Sequence, residues 1–187
     1  MNRRDATAIL AAIAGGTLAI SPAFLAACRS AAESEPLLFF TSDEIALLAQ
    51  AADTILPDTP DSQGAKAAGI GPFMDRYVAD CLTPEAQQIL RTGLELLDQR
   101  SHEQHGNSFL KLPAQEQHEI LLALDIEAEQ QQAGAAAPHY FTLLKGLTLL
   151  GYFTSEAGAT QALRYVPVPG RFEGSVPYRE GEKAWAI

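Results

Sequence analysis

Cysteine, basic charge and glycine-rich nucleotide motifs are scarce or missing here, and each gap closes off a class of function. The 187 residues hold two cysteines, Cys28 and Cys81. Cys-x-x-Cys-His does not occur, so covalent haem attachment is absent. A dinucleotide glycine fingerprint and a phosphate loop are missing too. Against 23 Asp and Glu there are only 13 Lys and Arg, a formal charge of −10. A phosphate backbone would be repelled at that balance, which excludes nucleic acid as a partner. A long apolar run is also lacking. The best candidate, Ala6 to Ile20, has 15 residues, whereas a membrane-spanning helix needs about 20, and Gly15, Gly16 and Pro22 weaken it further.

What the N-terminus does contain is an address. MNRRDATAILAAIAGGTLAISPAFLAACRS has a polar head with Arg3 and Arg4, an apolar middle and a small-residue end. This is the layout of a signal peptide. The Arg3 and Arg4 pair resembles the twin-arginine signal, which exports cargo that is already folded. Asp5 and Ala6 stand where the fuller pattern carries an uncharged residue and then Phe, and the other reading of the pair is the basic head of an ordinary secretory signal. Leu25, Ala26, Ala27 and Cys28 match a lipobox, in which the Cys28 thiol takes a diacylglycerol and becomes the new N-terminus. Cleavage after Ala32, behind small Ser30, is the rival. Residues 1–27 are thus read as signal and 28–36 as tether, giving a periplasmic, cell-envelope protein held to a membrane by lipid.

Cleavage before Cys28 leaves the last 160 of the 187 residues, enough for one domain with its own core. Losing Arg3, Arg4 and Asp5 leaves 11 basic and 22 acidic side chains and a charge near −11. A lipidated Cys28 leaves Cys81 without a disulfide partner, so stability must come from burial.

The mature chain predicts an all-α fold of about five helices over residues 37–164. Thr41 and Glu44 form a capping box, with Phe40 and Ile45 placed for a hydrophobic staple, ahead of a helix from Ser42 to about Leu56. Ile45, Leu48, Ala52 and Ile55 fall on one face of it. A loop rich in Pro, Asp and Gly leads to a short helix from Pro72 to about Leu82. Thr83 and Pro84 start a third helix, lined by Ile89, Leu90, Leu94 and Leu97, which polar SHEQHGNS is expected to break. A fourth runs from Pro113 to about Glu129 with Ile120, Leu121 and Leu124 inward, and Gln130 to Ala137 reads as a flexible link. Pro138 opens a fifth, apolar on most faces. Residues 165–187, rich in Pro, Gly and aromatics, are expected to lie extended over a surface.

Catalytic chemistry finds little support. His102, Glu103 and His105 form the densest ligand-like cluster, and two histidines three apart can share a helix face. This is not a His-Glu-x-x-His motif, and a solvated helix end is the plainer reading; a small metal-dependent hydrolase is its functional counterpart. Asp53, Asp58 and Asp61 read as turn residues. Thr154 and Ser155 read as caps, with no base placed beside them by His139. The aromatics are the unusual feature. Tyr152, Phe153, Tyr165, Phe172, Tyr178 and Trp185 are the candidate partner interface, because large aromatics are favoured at interfaces.

Four segments carry a family likeness: FFTSDEIALLAQAADTILPDTP, GAKAAGIGPFMDRYV, FLKLPAQEQHEIL and YFTLLKGLTLLGYFTSEAGATQALRYVPVPGRFEG. Together, over residues 37–187, the chain resembles subunit 3 of the membrane-bound gluconate 2-dehydrogenase family. Leu150 stands where many members carry an acidic residue before the glycine, which marks a subgroup. The resemblance implies a non-catalytic small subunit that carries no cofactor itself. Its partner would be a large flavoprotein of the glucose-methanol-choline type, with FAD in that partner and a c-type cytochrome bearing haem c as a third subunit. The alternative is a stand-alone envelope lipoprotein that binds or scaffolds without redox chemistry.

Overall fold

The computed structural model describes residues 36–132, 137–168, 170, 174–177 and 179–186. The signal residues Arg3 and Arg4 and the lipidation residue Cys28 lie outside them. The fold is all-α. Its elements are α1 (Ser42–Ile55), α2 (Ile70–Cys81), α3 (Pro84–His105), a 3-10 turn (Phe109–Lys111), α4 (Ala114–Gln132), α5 (Tyr140–Thr154) and a π turn (Gly158–Ala162). Two two-residue strands, β1 (Arg164–Tyr165) and β2 (Trp185–Ala186), then pair in parallel. Among the described residues no helix is long and apolar enough to cross a membrane.

The expected capping box closes α1: the Thr41 hydroxyl accepts from the Glu44 amide, and the Glu44 carboxylate accepts from the Thr41 amide at 2.7 Å. The face of α1 that is fully buried is Leu47, Leu48, Ala51 and Ala52, with Ile45 and Ile55 packed on its margin. α2 starts at Ile70, earlier than Pro72, because Gly69 takes a left-handed conformation (φ 74°) and turns the loop into the helix. α3 does not break at the polar SHEQH stretch. Ser101 is fully buried and returns its hydroxyl to the Leu97 carbonyl, and the helix stops only where Gly106, at φ 74°, supplies the C-terminal cap. α4 likewise runs on to Gln132, since glutamines are good helix formers. His139, not Pro138, caps α5.

The core lies where α1, α2, α4 and α5 meet, with α3 against α5. Leu48, Ile70, Met74, Leu90, Leu97, Ile120, Leu124 and Leu144 are sealed from solvent. Two glycines permit close approaches. A Cβ on Gly151 would lie 2.5 Å from the Phe73 ring, and one on Gly93 would lie 2.3 Å from the Tyr140 ring. The buried Gln117 ties three elements together: its Nε2 donates to the Phe109 carbonyl, and its Oε1 accepts from Gln50 and Thr54.

A clamp holds the segment that leads into α1. The buried Asp75 carboxylate on α2 accepts from three consecutive amides, Leu38 (2.8 Å), Phe39 (2.9 Å) and Phe40 (2.7 Å). Arg91 on α3 donates to the Phe39 carbonyl, stacks 4.0 Å from the Phe39 ring and pairs with Glu44 at 3.5 Å. Burial pushes the Asp75 pKa up, but the three amides and the Arg76 charge outweigh it, so the net shift is downward from the ordinary carboxylate value.

Candidate partner surface and an interhelical groove

The aromatics proposed as an interface divide. Tyr152 is a core residue: it is 3% exposed, and its hydroxyl donates to the Gln63 carbonyl at 2.7 Å. It faces inward because α5 turns its Tyr152 side onto the loop before α2, and this corrects its placement on the surface. Phe153, one residue on, is 37% exposed beside Leu150 at 41%. Tyr165 and Trp185 are half exposed and are brought onto adjacent strands by the β1–β2 pairing. Phe172 and Tyr178 lie outside the described residues.

The strand pair works as a clasp. The Arg164 amide donates to the Ala184 carbonyl at 2.8 Å, and its guanidinium stacks 3.8 Å over the Trp185 ring while pairing with Glu182 at 3.2 Å. Lys183 donates to the Gln161 carbonyl on the π turn. The chain between the strands thus leaves and returns at one place. On it, Val168 (81%) and Val176 (47%) are exposed.

The polar candidates resolve into structural roles. The His102 Nδ1 sits 3.0 Å from the Asp98 carbonyl, whereas the His105 Nδ1 sits 3.3 Å from Glu116 on α4, so the two rings serve different partners. Among the described residues no group of three His, Cys, Asp or Glu is placed to hold a metal ion. Asp58 accepts from the Gly64 amide at 2.6 Å and Asp53 from the Lys66 amide, both bracing the loop before α2. Thr154 returns its hydroxyl to the Leu150 carbonyl, and Ser155 accepts from the Gly158 amide. Cys81 is a free, exposed thiol.

The site that the sequence did not reveal is a groove of about 730 Å³ between α3 and the start of α5, walled by Ile89, Thr92, Leu96, Pro138, His139 and Tyr140. Past Leu96, His139 and Tyr140 it adjoins a polar recess of about 230 Å³ bordered by Arg100 and Glu127. Those two form a bidentate pair at 2.8 and 2.9 Å, which lowers the Glu127 pKa and raises that of Arg100. The His139 Nδ1 accepts from the Phe141 amide at 3.2 Å, so the neutral ring carries its proton on Nε2. Burial, with the Arg100 charge adding to it, outweighs the Glu127 charge and lowers the His139 pKa. Tyr140 is 8% exposed, and burial pushes its pKa up to about 12. The groove lies where Tyr140 approaches Gly93 on another helix, and no local pattern in the chain announces that pairing.

Comparison with known proteins gives one result. No curated protein and no solved structure matches the chain. The family model described as gluconate 2-dehydrogenase subunit 3 matches residues 42–170, from the first turn of α1 through the strand β1. The match spans well over half of the chain and the whole helical body, and on it the chain belongs to the gluconate 2-dehydrogenase subunit 3 family, accessory subunits of a dehydrogenase complex.

Proposed function

We propose that this chain is the non-catalytic small subunit of a membrane-associated, flavin-dependent sugar or alcohol dehydrogenase of the glucose-methanol-choline type. Its work is to export, stabilise and anchor the flavoprotein subunit. The observation that carries the reading is the family match over residues 42–170. FAD belongs to the large partner, and a c-type cytochrome with haem c is the third member that passes electrons on. Arg3 and Arg4 direct the folded pair through the twin-arginine route, and lipid on Cys28 retains it at the membrane. The exposed Phe153, Tyr165 and Trp185, with the valines of the clasped segment, supply apolar surface for the flavoprotein.

The test is a double substitution, Arg3→Lys with Arg4→Lys, in cells that express the complex. Fractionation is expected to find the flavoprotein and its flavin absorbance stranded in the cytoplasm. Normal export of the flavoprotein in that strain would overturn the shared-passage mechanism. Mass spectrometry of the mature N-terminus gives the anchor a separate test, with a diacylated Cys28 expected.

A further inference from the structure

The helix α5 begins on a titratable side chain, whereas α1 and α3 begin on the hydroxyls of Thr41 and Thr83. The His139 Nδ1 accepts from the Phe141 amide at 3.2 Å, one of the first-turn donors that no carbonyl within the helix can serve. That bond requires a neutral ring, because protonation turns Nδ1 into a donor facing the amide. A positive ring would also stand at the positive end of the α5 dipole. The local sequence supplies no substitute. The first turn of α5 carries no acidic side chain, and Gln130 to Pro138, which lead into it, include no titratable group.

The charged groups that face the ring come from two helices. Arg100, Glu103 and, on the wall of the groove, Glu85 belong to α3, and Glu127 belongs to α4. Glu85 and Glu103 are exposed, where water and salt screen them. Glu127 favours the protonated ring, but it is already held by Arg100 at 2.8 and 2.9 Å. Burial and the Arg100 charge prevail, and the net shift of the His139 pKa is downward from 6.5.

We propose that His139 makes the start of α5 acid-sensitive: protonation of the ring breaks the cap, and the first turn, with the Tyr140 ring that lies against Gly93, opens more often while α1 and α2 stay folded. This device belongs to the chain alone and does not depend on the function proposed above. Above pH 6.5 the ring is neutral whether the turn is closed or open, and the cap contributes in full. As pH falls below 6.5 the open turn takes the proton first, so the closed turn loses stability down through the lowered folded value. The joint that loosens is the one between α3 and α5.

Amide hydrogen exchange of the full-length chain, followed by NMR and corrected for the intrinsic pH dependence of exchange, tests the proposal. Between about pH 7.5 and about pH 5, where carboxylates stay charged, the protection of the Phe141 and Thr142 amides is expected to fall about fivefold, the worth of one helix cap. Protection of Leu48 on α1 and Val78 on α2 is expected to hold. His139→Asn supplies a cap acceptor that does not titrate and keeps His102, His105 and His118, so its protection at Phe141 is expected to stay flat. A parent chain whose Phe141 protection does not fall, an equal fall in His139→Asn, or a parallel loss at Leu48 and Val78 would each overturn the proposal. The imidazole nitrogen signals of the parent chain give a test that needs no substitution. The Nε2–H tautomer at about pH 7.5 and a midpoint below 6.5 are expected, and the Nδ1–H tautomer or a midpoint at or above 6.5 would overturn it equally.

Discussion

Asp75→Ala is expected to lower the unfolding free energy by about 4 kcal/mol, read from the midpoint and slope of urea denaturation. A buried amide left without an acceptor costs about 1–3 kcal/mol; that applies in full to Phe40 and in part to the part-buried Leu38 and Phe39 amides, and the three are lost together in one segment. Leu38, Phe39 and Phe40 all depend on that carboxylate. Asp75→Asn is expected to retain roughly half of the contribution. Oδ1 serves Phe39 and Phe40 and can be kept as the amide oxygen, while the Leu38 amide, which uses Oδ2, would face an NH2 group. The acid limb should follow the same residue. The folded-state pKa lies below the ordinary 3.8, so the stabilisation is full above 3.8 and is lost as pH falls through the lowered value. Asp75→Asn should therefore flatten the decline of stability below about pH 4. A loss under about 1 kcal/mol for the alanine variant would show that the clamp holds a segment already fixed by other contacts.

Gly158→Ala is expected to cost about 3 kcal/mol or more, since it drives a methyl group into backbone. The added carbon would sit 1.9 Å from the Tyr152 carbonyl oxygen and 2.6 Å from its carbon, atoms that no rotamer change can move. Ordinary overpacking costs about 1–3 kcal/mol when side chains can yield; here the π turn itself must open. That turn is closed by the Leu163 amide on the Gly158 carbonyl at 2.9 Å, directly before β1. The same substitution should therefore loosen the clasp and raise proteolytic cleavage beyond residue 163. Gly106→Ala is the comparison. It has open space around the position and only a left-handed φ of 74° to contend with, so about 1 kcal/mol is expected. Thermal melts of the two variants would order them, and an equal effect would contradict the steric account.

Local signals carried far in this chain. Thr41 with Glu44, Thr83 with Pro84, and the spacing of Leu90, Leu94 and Leu97 are each decided within one or two helical turns, and helices stand where those signals place them. The misses are non-local. SHEQH continues as helix because Ser101 has a buried seat against its own backbone and Asp98 caps the following 3-10 turn through the Phe109 amide. Tyr152 and Phe153 are neighbours of similar size, and only the position of the Gln63 loop decides which one is buried. The groove lies where a glycine on α3 meets a tyrosine on α5. A single acidic residue in the middle of α2, Asp75, carries no sign in the sequence that it binds three amides.

The clamp at Leu38 to Phe40 also decides where tension enters the molecule. On the proposed anchoring through Cys28, a pull from the N-terminal side first meets Leu37 and Leu38. Three amides bound side by side to one carboxylate share that load and must yield together, while Arg91 holds the Phe39 carbonyl and ring from a second helix. The strain is thereby delivered to α2 and α3, and α1 is spared from being unwound from its capped end.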